Sequence, residues 1–179
     1  MNWENTPQRY GFMAVGLHWF MFLLLVVVYS CIELRELFPK GSEPRDLLKT
    51  WHFMLGLLVF ALVWLRLAVR LSGSVPLAGQ ESDWQTILAK FVHFALYMLM
   101  ILMPLLGWLM LSAAGKPIPF FGLTLPSLIS EDKNIAQFLK ETHETLGTIG
   151  YFLIAAHALA ALYHHFIKKD GTLFRMLNH

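Results

Sequence analysis

Residues 143–157 read HETLGTIGYFLIAAH, an apolar segment with a histidine at each end. The residues from Thr145 to Ile167 carry no charge, and a helix of that length can cross a bilayer. His143 and His157 are fourteen residues apart, and fourteen steps of about 100° nearly complete a whole number of helical turns. We therefore expect both imidazoles on one face of one helix, about 21 Å apart along its axis.

Three more apolar segments precede this one, at 10–32, 50–65 and 91–115. The second continues past Arg66 and Arg70, whose long side chains can reach a membrane interface. About 20 apolar residues span the hydrocarbon core, so the sequence predicts an all-α integral membrane four-helix bundle. We expect a single membrane domain, 1–179, with spans at about 11–33, 50–70, 87–112 and 145–168. A long loop, 113–144, is expected to hold a short amphipathic helix at 132–140.

Composition excludes several classes of protein. Apolar residues make up 56% of the 179 residues, which is more than soluble domains usually contain. The formal charge of +2 is too small to indicate nucleic-acid binding, and no basic run is present. Cys31 is the single cysteine, so neither an internal disulfide nor a cysteine-based metal motif is possible.

Histidines recur in the other three spans, as His18, His52 and His93. Antiparallel helices would place His18 level with His157, and His52 level with His143. A lone intramembrane histidine more often makes an interhelical hydrogen bond, but four in two matched layers favour ligation of two six-coordinate haem irons. His93 has two open interpretations: it could replace His157 as the partner of His18, or bond a haem propionate or a quinone.

Three glycines lie close to these histidines in the sequence, namely Gly16, Gly56 and Gly147. A residue without a side chain leaves room for a flat macrocycle against the helix backbone. Close packing of two helices is an equally good interpretation, because small residues are common at helix contacts in membranes.

The sequence resembles the bacterial cytochrome b561 family over essentially its whole length. The resemblance rests on short segments that contain the histidines and on the closing residues of the chain. These segments are Leu17–Trp19, Thr50–His52, Lys90–His93, Phe121–Pro126, His143–Gly147, Gly150–Phe152, Tyr163–His165 and Lys169–Leu173.

That resemblance implies two b-type haems, one held by His18 and His157 and the other by His52 and His143. It also implies an inner-membrane location with both termini cytoplasmic, which the charges leave open because seven basic residues fall on each side. The expected activity resembles that of a superoxide oxidase, in which an electron passes from superoxide at the periplasmic haem to ubiquinone. The implied partners are the lipid bilayer, ubiquinone and superoxide.

Further roles remain open on sequence alone. His164, beside His165 at the end of the fourth span, could hold a quinone or deliver protons to it, or could anchor the helix end. An anionic donor needs a positive approach, for which the candidates are Arg35, Arg45, Lys49, Lys116, Lys133 and Lys140. Ordinary solvated charge is the alternative for any one of them.

Two other functions compete with electron transfer from a small donor. The first is a membrane anchor cytochrome that receives electrons from a docked dehydrogenase, its protein electron donor. Short polar loops disfavour it, because they offer little docking surface. The second is a histidine-lined metal or proton transporter, which the scarcity of Asp and Glu within the spans disfavours.

Overall fold

A computed structural model describes residues 6, 10–73 and 83–177. Four long helices dominate it, with a 3₁₀ turn (Arg35–Leu37) extending the first and a π-helical turn (His164–Lys168) extending the fourth. With these extensions, all four are long and apolar enough to cross a membrane, which confirms the predicted helical fold. The helices are α1 (Phe12–Leu34), α2 (Glu43–Leu71), α3 (Asp83–Ala113) and α4 (Lys133–Tyr163), followed by the short α5 (Phe174–Leu177).

Helix α4 begins much earlier than the sequence indicated. Residues 132–140 were expected to form a separate short helix within a loop over 113–144, but they are the cap and first turns of α4. Asp132 caps the helix by accepting hydrogen bonds from the main-chain N–H groups of Asn134 (2.8 Å) and Ile135 (3.0 Å). No glycine or proline follows before Gly147, so nothing breaks the helix, and His143 lies within it.

The connection between α3 and α4 contains an antiparallel β-hairpin, β1 (Ile118–Phe120) and β2 (Leu123–Leu125). Phe121 and Gly122 form its turn with positive φ angles of 46° and 86°, the backbone form of a tight hairpin turn. Ile118 is buried against Leu57 of α2 and Leu111 of α3. We call this end of the bundle the hairpin end.

At the opposite end the chain folds back after α4. The indole Nε1 of Trp19 on α1 donates a 2.8 Å hydrogen bond to the main-chain carbonyl of Met176 in α5. Lys168 donates a hydrogen bond to the side chain of Gln85 at the start of α3 (2.8 Å). We call this end the α5 end.

Neighbouring helices pack α1 on α2, α2 on α3 and α3 on α4. The buried core lies between the first three helices and consists of Met21, Leu24, Val28, Val59, Val63 and Met100. Hydrogen bonds between described residues connect α1 to α4: the hydroxyl of Tyr29 donates to the Gly147 carbonyl (3.1 Å), and that of Tyr151 donates to Glu33 (2.6 Å). The histidines lie in the space between these helix contacts.

Candidate haem centres

The structure brings His52 of α2 and His143 of α4 together at the hairpin end. Their ring centroids are 6.2 Å apart with an interplanar angle of 75°. The Nδ1 of His52 is 3.0 Å from the main-chain carbonyl oxygen of Val28 on α1. Because a carbonyl only accepts, Nδ1 carries the proton and donates it, and Nε2 keeps a free electron pair. We call these two residues the hairpin-end pair.

His143 lies against the backbone of α3 at Gly107. A Cβ atom at position 107 would lie 3.5 Å from the Cε1 of His143 and 3.8 Å from its Nδ1. That Nδ1 is buried and has no hydrogen-bond partner of normal geometry among the described residues, although the Met103 carbonyl is close enough to influence it. Its nearest acceptor is thus a main-chain carbonyl of α3, which suits a proton on Nδ1 and leaves Nε2 as the nitrogen with a free electron pair.

A cavity of about 920 Å³ is lined by the hairpin-end pair. This is near the upper end of the range for small-molecule and cofactor pockets, about 300–1,000 Å³. Gly56 and Gly147 both line it. A Cβ at Gly56 would have no atom within 4 Å, whereas one at Gly147 would lie 3.5 Å from the Met103 side chain. Gly56 therefore borders open space, as a site for a macrocycle requires, while a Cβ at Gly147 would make ordinary van der Waals contact with α3.

The second pair, His18 of α1 and His157 of α4, lies toward the α5 end. Its ring centroids are also 6.2 Å apart, with an interplanar angle of 59°. A Cβ at Gly16 would have no atom within 4 Å, but this glycine lies on the exposed surface of α1. We call these residues the α5-end pair.

The separation of the rings in both pairs suits a shared metal. Metal–imidazole bonds are about 2 Å long and a ring nitrogen lies about 1 Å from its ring centre, so ligands on opposite sides of one metal have ring centroids about 6 Å apart. Both pairs are at 6.2 Å. In the part of the chain that is described, no group of three or more His, Cys, Asp or Glu side chains is arranged to hold a metal ion. Two ligands per site fit a cofactor such as haem, whose ring supplies the remaining four.

His93 of α3 is the third histidine at the α5 end. Its ring centroid is 5.2 Å from that of His157, which is closer than the separation of opposed ligands. Its Nδ1 lies 2.6 Å from the Ala89 carbonyl oxygen, so Nδ1 donates and Nε2 is an acceptor. This geometry favours His18 over His93 as the partner of His157 and leaves His93 beside the pair.

Arg66 of α2 contacts His18 at this site. Its guanidinium nitrogen NH2 is 2.8 Å from the Nδ1 of His18, and its Nε is 3.4 Å from the hydroxyl of Tyr97 on α3. On sequence alone Arg66 was interpreted as a residue that reaches the interface. Arg66 is fourteen residues from His52, and His157 is likewise fourteen residues from His143. This equal spacing could have indicated that Arg66 lies level with the second pair.

His164 lies in the π-helical turn and is hydrogen-bonded to the carboxylate of Asp170. Thr172 donates two further bonds to that carboxylate, from its main-chain N–H (3.0 Å) and its hydroxyl (2.6 Å). Burial raises the pKa of Asp170, but the hydrogen bonds from His164 and Thr172 outweigh it and lower the pKa to about 2. The structure thus shows the helix-end contact expected as one of the two roles of His164.

The basic residues expected to attract an anionic donor divide into two groups. Arg45 is one group by itself and is not a candidate for attracting the donor. Its side chain is buried, and it donates hydrogen bonds to Glu36 and to the carbonyls of Arg35 and Phe38, which close the turn between α1 and α2. The other five line the cavity beside five carboxylates. They are Arg35, Lys49, Lys116, Lys133 and Lys140.

Comparison with known proteins agrees with this geometry. The model of the family described as prokaryotic cytochrome b561 matches residues 9–179. The chain is 38% identical over 171 residues to cytochrome b561 homolog 1 of Escherichia coli strain K12, covering 95% of this chain and 97% of that one. It is 34% identical over 171 residues to the probable superoxide oxidase CybB of Yersinia pestis, covering 95% and 96%. Cytochrome b561 homolog 2 of E. coli is 32% identical over 186 residues, covering 99% and 95%. The chain therefore belongs to the prokaryotic cytochrome b561 family, as a bacterial membrane protein that binds b-type haem and transfers electrons.

Proposed function

We propose that this protein is a dihaem cytochrome that oxidises superoxide at the hairpin end and reduces ubiquinone at the α5 end. The observation that carries the proposal is the presence of two histidine pairs on facing helices, both with ring centroids 6.2 Å apart. A relative that is 34% identical is named a probable superoxide oxidase, which supports the choice of donor. The hairpin end would face the periplasm, with both termini in the cytoplasm.

The chain's own residues orient the ligands. The Val28 carbonyl holds the His52 ring through Nδ1 and leaves Nε2 for the metal. The His143 ring lies against α3 at Gly107, and Gly56 keeps one wall of the cavity open. Haem iron, when bound at each pair, accepts and releases one electron at a time. His18 and His157 hold the second site about 21 Å further along α4.

The reaction needs protons only at the quinone. Superoxide loses one electron and leaves as dioxygen, and ubiquinone takes up two electrons and two protons, so two superoxide ions are consumed per ubiquinol. We assign the proton donor at the α5 end to His164, because a hydrogen bond to the carboxylate of Asp170 orients its imidazole and an oriented imidazole can act as a general acid. Asp170 holds that imidazole in place.

Haem content of purified variants tests the two-site proposal. His52→Ala and His18→Ala should each lose about one of two haems per chain, since each removes one of the two protein ligands of one site. His165→Ala is the matched control, because its ring makes edge-to-face contacts with Phe166 and Phe174 and belongs to neither pair. One haem per chain in the parent protein, or no loss in either variant, contradicts two sites.

The same proteins test the donor and the acceptor. Parent protein in detergent, without any partner protein, should reduce ubiquinone when a superoxide source is added, and both histidine variants should lose most of this activity. A parent that holds two haems but is reduced only by an added dehydrogenase is the result expected of an anchor cytochrome. It would rule out superoxide as the donor and leave the haem assignment standing.

A further inference from the structure

Helices α2 and α4 each carry two residues with an imidazole or guanidinium side chain, at the same two levels of the bundle. On α4 these are His143 and His157, and on α2 they are His52 and Arg66. Fourteen residues, or about 21 Å of helix, separate the members of each set. At the hairpin end both helices therefore supply an imidazole. At the α5 end α1 supplies the opposing imidazole, and α2 supplies a cation instead.

The contact between Arg66 and His18 cannot persist when His18 binds a metal through Nε2. A guanidinium has donors only, so the Nδ1 of His18 must accept the 2.8 Å hydrogen bond from Arg66. A neutral imidazole that accepts at Nδ1 carries its proton on Nε2. A metal requires the Nε2 electron pair, so the proton must move to Nδ1, where it would face another donor. Arg66 must then find a different partner.

Arg66 also lacks a negative partner in its present position. No carboxylate among the described residues lies within salt-bridge distance of it. Its remaining contacts are the Tyr97 hydroxyl at 3.4 Å and the Tyr97 ring, whose centroid is 5.9 Å from the guanidinium carbon. A cation within a membrane span is costly unless an anion or dipole compensates it. Among the described residues, the guanidinium of Arg66 is thus a positive charge that no negative charge compensates.

We propose that Arg66 is a carboxylate-binding residue of the α5-end site, which leaves His18 and binds a propionate of the cofactor when that site is loaded. The proposal rests on the haem assignment above. Arginine suits the role because its planar guanidinium pairs with a carboxylate through two parallel hydrogen bonds. Once Arg66 has moved, the Nδ1–H of His18 no longer faces a donor, and the ring is free to coordinate through Nε2.

Transfer of haem to excess apomyoglobin, followed by absorbance, tests this in the purified holoprotein. Parent protein should show two phases of haem loss, one for each site. Arg66→Gln should accelerate one phase about tenfold or more, since a charged hydrogen-bonded partner is lost. Arg70→Gln removes the same charge one turn further along α2 and should leave both phases unchanged. Unchanged phases in Arg66→Gln would overturn the proposal.

A second cofactor separates carboxylate binding from simple support of the His18 ring. Parent and Arg66→Gln are each loaded with protohaem or with its dimethyl ester, which has no free carboxylate. If Arg66 binds a propionate, the parent should lose the ester about as fast as Arg66→Gln does, and the substitution should add nothing for the ester. If Arg66→Gln accelerates the loss of haem and the loss of the ester equally, the proposal is overturned. A parent that transfers only one haem per chain would instead contradict the two-haem assignment, so the two failures are distinguishable.

Discussion

Single hydrogen bonds decide which imidazole nitrogen is available at each site. Main-chain carbonyls bind the Nδ1–H of both His52 and His93, and this leaves Nε2 as the free nitrogen in each. His93 lies 5.2 Å from His157, a separation at which two rings cannot face one metal from opposite sides. Its Nε2 is therefore better placed to orient His157 than to replace His18.

Gly56 offers a test of the hairpin-end cavity with one residue. A bulky side chain there would project into the space that it borders, since a Cβ has no neighbour within 4 Å. Gly56→Phe should reduce bound haem from two toward one per chain and leave the α5-end site filled, as measured by the pyridine haemochrome. Ala61→Phe adds the same group at an exposed position on the same helix and should keep both haems. Two haems retained in Gly56→Phe would show that the cofactor does not occupy this space.

At the scale of elements, the sequence predicts the helices better than it predicts where they begin. Charge-free runs mark the hydrocarbon core, but α4 extends beyond its run to Lys133 because the Asp132 cap and an absence of helix breakers let polar turns continue it. The sequence predicts a long loop at 113–144, but part of it forms a short hairpin because Ile118 packs against Leu57 and Leu111. Such tertiary contacts leave no local pattern in the chain.

The segment after α4 is stabilised by Asp170, and this stabilisation depends on pH. The pKa of its carboxyl is lowered from 3.8 to about 2 in the fold, so the ionised form favours the folded turn. The contribution is complete above about pH 4 and is lost as pH falls through about 2. Asp170→Asn should reduce the hydrogen-exchange protection of residues 170–177 several-fold at pH 6, after correction for intrinsic rates.

The same substitution should have little further effect near pH 2, where the parent carboxylate is itself protonated. Asp132→Asn is a suitable control, because it alters a capping carboxylate at the far end of α4 and should not change exchange in residues 170–177. Equal protection in Asp170→Asn and the parent protein at pH 6 would contradict a stabilising role for the carboxylate.

For the whole molecule, the levels of the four histidines could be predicted because helix rise and antiparallel order fix depth. Their lateral arrangement could not, since depth does not tell which helices face one another. The sequence therefore left His93 as an alternative partner for His18. The structure places the His157 ring 6.2 Å from that of His18, a separation suited to opposed ligands, and the His93 ring 5.2 Å from that of His157. The contact of Arg66 with His18 could not be predicted either, because the two residues lie on different helices.

The charges around the cavity give a prediction about the approach of the donor. Arg35, Lys49 and Lys140 form ion pairs with neighbouring carboxylates, whereas no salt bridge is found for Lys116 or Lys133 within the described ranges. Unpaired charges act most strongly on an approaching anion, and salt screens them over about 10 Å at 0.1 M. Lys116→Gln combined with Lys133→Gln should slow reduction by superoxide about two- to fivefold at low ionic strength.

That difference from the parent should shrink toward none as salt is raised to about 0.5 M, because screening removes the attraction that the two lysines supply. Lys90→Gln combined with Lys169→Gln changes the net charge equally at the opposite end of the bundle and should leave the rate unchanged. The measurement is the second-order rate constant for haem reduction by pulsed superoxide. Equal slowing in both double variants would mean that overall charge governs the encounter, and no slowing in either would mean that superoxide does not enter at the hairpin end.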